Sequence, residues 1–201
     1  MPDAMRKGRS VAAEQVNPDD VEGRSVLLHV CCGPDATVPL RLLLPLAKKV
    51  VAYFHNPNVH PPEEYARRLA AMRQVAGHYR CDLVEGDYGE APRYAALLGM
   101  HAGEPEGGER CELCYMMRLE SAAQKAAELG LDCFATTLTI SPHKNHGLIN
   151  SLGAAAAARW GVDYVPTNFK KRDGFKESVK LSGEMGLYRQ RYCGCAWSRS
   201  G

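Results

Sequence analysis

The sequence predicts an α/β fold: an open, mainly parallel, Rossmann-like sheet with helices on both faces. Three observations predict it. Short apolar runs of strand length alternate with segments of helical periodicity. The connections between runs are long enough to hold a helix, which implies parallel pairing through right-handed crossovers. The 201 residues suffice for one domain with a real core, and no stretch is apolar enough to span a bilayer.

The elements follow in order. Residues 1–23 contain no apolar signal-peptide core and read as a polar, mobile leader, so the expected location is the cytoplasm. A single domain then covers 24–201. SVLLHV (25–30) is the first strand. TVPLRLLLPLAKK (37–49) is the first helix, with Asp35 or Thr37 as its cap, Pro39 in its first turn, and Pro45 kinking or ending it. VVAYFH (50–55) is the second strand, and PEEYARRLAAMRQVAGHY (62–79) is an amphipathic helix. CDLVEG (81–86) is the third strand, and residues 88–99 are helical. The loop GMHAGEPEGGER leads into a long helix that starts at CELC. DCFATTLTI (132–140) is the fourth strand, residues 141–161 the next helix, and VDYVP (162–166) the fifth strand. A last helix over 173–185 precedes GLYRQRYCGCAWS.

In open α/β sheets, ligands collect beyond the carboxyl ends of the strands. Cys31 and Cys32 stand there after strand one, with Asp35 three residues on. Ser141 and His143 stand there after strand four, and Tyr53 and Asn56 at the end of strand two. Eight cysteines in such a chain point to metal or redox chemistry rather than a disulfide scaffold. Six form compact groups: Cys31–Cys32, Cys111-x-x-Cys114 at a helix start, and Cys193-Gly-Cys195. The helix start aims both thiols one way and favours thiolate. The glycine between the last two lets their sulfurs converge on one metal, two metals or a disulfide. Cys81 and Cys133, at strand starts among apolar residues, read as core packing.

A structural zinc takes four ligands, so six thiols and a carboxylate exceed one zinc site. Thiolates in fours suit an iron–sulfur cluster, and the surplus could hold a second metal. Asp35, a hard oxygen ligand, would leave that metal open and Lewis-acidic; it reads equally as a helix cap.

Net charge is only +2, but residues 168–201 sum to +5 and the rest to −3. A local basic face can meet phosphates or simply be solvated. Tyr188, Arg189, Arg191 and Tyr192 join stacking surface to positive charge, which suits single-stranded RNA as well as ordinary interface packing. Ser141 offers a phosphate site or a plain cap. His143, beside Lys144 and His146, offers a proton donor or an exposed helix face. His29 reads as a satisfied core histidine.

HVCCGPD, YFHNPNVHPPEEYARR, RCELCYMMRLESAA, DCFATTLTISPHKNH and LYRQRYCGCAWS occur in this order. Together they resemble the epoxyqueuosine reductases of the QueH type, from about residue 25 to 198. The resemblance implies removal of the epoxide oxygen from epoxyqueuosine at the tRNA wobble position, leaving a cyclopentene ring. It implies a [4Fe-4S] cluster with one additional iron ion beside it, tRNA carrying epoxyqueuosine as partner, and an unidentified electron donor. It maps ligand positions onto Cys31, Cys32, Cys111 and Cys114, with Cys193 and Cys195 as the third group and Asp35 where the family carries Cys or Asp.

Two arrangements stay open. Cys32, Cys111, Cys114 and a further cysteine hold the cluster while Cys31, Asp35 and a Cys193/Cys195 thiol hold the iron. Or Cys31, Cys32, Cys111 and Cys114 hold the cluster and Cys193 with Cys195 cycle as a dithiol. Rival readings are a tRNA-thiolating or nucleotide-binding enzyme, which would need an S-G-G-x-D-S loop where CCGPD stands, and a zinc-stabilised RNA-binding module.

Overall fold

Ser25–Val30 forms β1, the central strand of a five-stranded sheet in the order β3-β2-β1-β4-β5. The others are β2 (Lys49–Phe54), β3 (Asp82–Glu85), β4 (Cys133–Thr136) and β5 (Asp163–Tyr164). All four pairings are parallel. A central parallel strand is covered on both faces, which is why β1 is a nearly continuous apolar run. The computed structural model describes residues 14–199; residues 1–13, most of the expected leader, lie outside the described residues.

Alternate residues of β1 feed two cores. Val26, Leu28 and Val30 pack with Leu40 and Leu43 of α1 (Gly33–Leu43) and Met72 and Val75 of α2 (Pro62–Tyr79). Leu27 packs on the other face with Leu119 and Ala122 of α4 (Glu109–Glu128) and Ile149 of α5 (His146–Trp160). A short α3 (Ala91–Gly99) abuts α4, and α6 (Gly174–Glu184) packs on α1. No described helix is long and apolar enough to cross a membrane.

Four expectations are corrected. The first helix starts at Gly33, not residue 37: Cys32 is its extended N-cap, Pro34 occupies the first turn, and Asp35 lies inside the helix rather than capping it. The early start brings α1 against α2, where a Cβ at Gly33 would lie 2.7 Å from the Ala71 backbone. The fourth strand ends at Thr136, because its side chain accepts from Leu138 N–H and turns Thr137–Ile140 into a 3-10 turn. The next helix starts at His146, capped by the Asn145 side chain, so Ser141 is neither its start nor its cap. Residues 14–23, expected within a mobile leader, are packed: Val16 bridges Thr167, and Gln15, Val16 and Val21 are buried.

Candidate metal centre

The strand order reverses between β1 and β4, the switch point at which such sheets build their sites. His29 of β1 is in register with Thr136 of β4, so Cys31 and Thr137 meet just beyond the two strands. The Cys31 N–H donates to Thr137 Oγ1 at 3.2 Å, and that hydroxyl donates to Cys31 Sγ at 3.3 Å. Cys32 caps α1 and Asp35 stands three residues on, so the first turn carries the carboxylate back to the sulfurs. Cys31 Sγ lies 3.3 Å from Asp35 Oδ2 and 3.9 Å from Cys32 Sγ. One donor atom from each of these three buried residues falls within 4.8 Å of the others. Asp35 Oδ1 is buried with no hydrogen-bond partner; Arg189 Nη2 approaches it at 3.9 Å.

The C-x-x-C pair lies in the first turns of α4, both thiols buried. Gly107 N–H donates to Cys111 Sγ at 3.2 Å, and Cys111 shares an apolar cluster with Cys31 and Cys32. Burial pushes Cys114 up to about 12, and the charges of Cys193, Cys195 and Cys111 push the same way against Arg118. All eight cysteines are free, so Cys193 and Cys195 form no disulfide here. Hydrogen bonding from Cys32 holds the Cys31 thiol below its ordinary value, whereas burial drives Cys32 well above it.

The Cys193–Cys195 segment reaches the centre because Arg68 holds it. Arg68 is buried on α2 and donates from Nε to Glu64 Oε1 (2.8 Å), from Nη1 to Cys193 O (2.8 Å) and from Nη2 to Tyr192 O (3.0 Å). Gly194 adopts φ +119°, and a Cβ there would lie 2.7 Å from Arg68 Nη1. Only glycine combines that dihedral with that approach.

A cavity of about 410 Å³ opens over the centre, lined by Cys31, Asp35 and Cys193. Arg68, Arg118, Lys144 and Arg189 also line it. Arg118 follows Cys114 by four residues on α4; its Nη2 donates to Asn56 Oδ1 at 2.5 Å, and Asn56 Nδ2 donates to Val30 O at 3.0 Å. Burial works to lower Lys144, but Cys193, Cys31 and Asp35 outweigh it and raise its pKa, so it stays cationic.

Of the residues singled out in the sequence, Asn56, Ser141, His143, Arg189 and Arg191 line this cavity with Cys31, Asp35 and Cys193. Tyr53 does not: it is buried and its hydroxyl meets Ser121 Oγ at 3.1 Å. Tyr188 lines an adjoining hollow instead. His29 is a core histidine, meeting Thr136 Oγ1 at 2.9 Å and His55 O at 3.3 Å. Cys81 and Cys133 are buried at the opposite, amino ends of β3 and β4. Arg68, Arg118, Thr137 and Gln190 are additions. Helical spacing would have found two of them: Arg68 stands four residues after Glu64, and Arg118 four after Cys114.

Fold and site together define an α/β protein whose switch-point crevice gathers thiols and one carboxylate inside a ring of cations. The chain belongs to the epoxyqueuosine reductase QueH family, whose family model matches residues 26–201. An epoxyqueuosine reductase QueH of Streptococcus pyogenes serotype M1 is 41% identical over 180 residues, covering 87% of this chain and 70% of that protein. One of Thermotoga maritima is 37% identical over 176 residues, covering 87% of this chain and 90% of that protein. Among solved structures, the U34-tRNA thiolase NcsA from Methanococcus maripaludis with its [4Fe-4S] cluster is similar in fold. Its TM-score is 0.61 at 12% identity, over 96% of this chain and 68% of that one.

Proposed function

We propose that this chain removes the epoxide oxygen of epoxyqueuosine in tRNA and leaves the cyclopentene ring. Its relatives carry the name of that activity. The observation that supports the chemistry best is how the cavity divides the seven donors. Cys31, Asp35 and Cys193 line it, while Cys32, Cys111, Cys114 and Cys195 are buried outside its lining. Four sulfurs withdrawn from the cavity suit a [4Fe-4S] cluster; two sulfurs and a hard oxygen facing it suit one additional iron with room for a ligand. Asp35 Oδ1, buried and without a hydrogen bond, fits a carboxylate kept for a cation. When bound, these groups supply electrons singly and a Lewis-acidic iron. The alternative, in which Cys193 and Cys195 cycle as a disulfide, leaves the 3.3 Å approach of Asp35 to Cys31 without a purpose.

The chain's own residues position the substrate and protonate it. Deoxygenation consumes two electrons and two protons, and the oxygen leaves as water. His143 lines the cavity and is the proton donor in this reading, with Lys144 beside it. Arg68, Arg118 and Lys144 offset the negative charge of thiolates and carboxylate in a low-dielectric site.

A second hollow adjoins the cavity and shares Arg189, Arg191, Tyr192 and Ser198 with it; Arg67 and Tyr188 extend its wall. In this reading the anticodon loop lies along that hollow with its wobble nucleotide turned into the cavity, phosphates near Arg67 and Arg191 and bases against the tyrosines. Residues 14–199 act as one domain, in the cytoplasm, with an electron donor of unidentified class.

The test is Asp35→Ala on anaerobically loaded protein. Iron content falls by about one atom per chain while sulfide is retained, as a carboxylate ligand of a separate iron requires. Unchanged iron refutes the separate site. Zinc near one per chain with no colour refutes the reductase reading and favours a zinc-stabilised RNA-binding module.

A further inference from the structure

We infer that Gln190 is a positioning residue whose amide N–H holds the Cys32 sulfur and raises the reduction potential of the iron–sulfur group that Cys32 would hold. The inference rests on the reading of the preceding section. Cys32 is wholly buried, and Gln190 Nε2 donates to its sulfur at 2.9 Å. A sulfur that ligates iron is a thiolate and can only accept, so it fixes which end of the amide faces it.

The other end gives independent support. Gln190 Oε1 is buried and has no donor. Leaving an amide oxygen unpaired costs stability, and an apolar side chain of the same shape would avoid that cost. The glutamine is therefore explained by its N–H and not by the packing of its oxygen.

The donor is also held in place from both sides. Arg189 donates from Nη1 to Ser182 Oγ at 3.3 Å and lies over the Phe175 ring at 5.0 Å. On the other side Arg68 fixes the carbonyls of Tyr192 and Cys193. An N–H···S bond draws charge from the sulfur. The reduced group carries one more negative charge than the oxidised one, so the bond is stronger in the reduced state and its loss makes reduction harder. Arg189 and Arg191, the neighbours of this donor, line both hollows, so the segment that would meet RNA also carries the contact to Cys32.

The experiment loads the full chain with iron and sulfide anaerobically. It compares the parent with Gln190→Met, which keeps the length and loses the donor, and with Gln190→Leu, which loses the donor in a branched apolar side chain. Iron and sulfide are quantified and the spectrum is followed in a redox titration. Both variants keep their iron and sulfide. At a fixed ambient potential their reduced-to-oxidised ratio falls by roughly a factor of three to ten, tenfold being about 59 mV for one electron. An unchanged ratio with the spectrum intact overturns the inference alone. So does loss of iron in both variants, which makes Gln190 a plain structural support. A parent chain with no iron–sulfur spectrum overturns the preceding section, and this inference with it.

Discussion

Replacing Arg68 by Met tests whether one buried guanidinium fastens the third cysteine group to the sheet. Arg68 and Glu64 are 3% and 4% exposed, and the substitution leaves Glu64 with the Tyr188 hydroxyl at 2.6 Å as its remaining hydrogen-bond donor. Removing one partner of a buried pair costs about 3–5 kcal/mol, because the other charge stays buried and unpaired. The carbonyls of Tyr192 and Cys193 also lose charge-assisted donors, each worth about 1.5–3 kcal/mol. Those two losses fall on a segment without regular structure, which can peel away, so they appear as local release rather than in global stability. Urea denaturation of the metal-free chain should therefore show a loss of about 3–5 kcal/mol. Limited proteolysis should show cleavage within residues 188–199 that the parent resists. Combining Arg68→Met with Glu64→Leu removes the stranded charge and should recover most of the global term while leaving the segment cleavable. A loss below about 1 kcal/mol, or a double variant no better than the single, would refute the reasoning.

Three further outcomes follow from the same geometry. Gly194→Ala meets Arg68 Nη1 at 2.7 Å in a backbone region closed to alanine, and should cost about 1–3 kcal/mol with loss of bound iron, read by denaturation and metal analysis. Arg191→Ala, at an exposed position, should leave stability within about 0.5 kcal/mol and lower the salt dependence of RNA binding by about one phosphate contact. Burial lowers His55 to about 4, so between pH 6.5 and 4 the unfolded chain binds a proton that the folded chain refuses. Stability from this group is complete above pH 6.5 and falls by about 1.4 kcal/mol per unit below it, about 3 kcal/mol in all; His29, shifted the same way by burial, adds to the slope. Denaturation midpoints should fall from pH 7 to 5, and less steeply in His55→Gln.

The fold was legible because its signals are local. The apolar run at 25–30 and the helical period at 62–79 coincide with β1 and α2. Boundaries slipped where a side chain decided them. Thr136 ends β4 by capping its own turn, and Asn145 rather than Ser141 starts α5, both through hydrogen bonds that an apolar pattern does not encode. The cysteine groups were legible as groups; their division by the cavity wall was not, since it depends on how the crossovers bring α4 and the C-terminal segment to β1. Arg68 and Gln190 were hidden for the same reason. Each acts across more than a hundred residues, Arg68 on Cys193 and Gln190 on Cys32.

The helix that follows β1 decides between the two chemistries this scaffold could host. Nucleotide-binding relatives of the architecture use the first strand-to-helix turn as a phosphate cradle, with free N–H groups and the positive end of the helix dipole aimed at the anion. Here the turn supplies its own anion. Cys32 is the N-cap residue of α1, Pro34 removes one of the free N–H groups, and Asp35 sits buried in the first turn, so the dipole faces two sulfurs and a carboxylate. A phosphate brought there meets like charge, and the missing partner is a cation. The metal-free chain should therefore gain no thermal stability from ATP. A ligand binding with a Kd of about 10 μM would add about 2.7 kcal/mol at about 1 mM, enough to move the melting temperature by several degrees. No shift at that concentration is the expected result, and a shift that Asp35→Asn enlarges would return the turn to phosphate binding and favour a nucleotide-dependent enzyme.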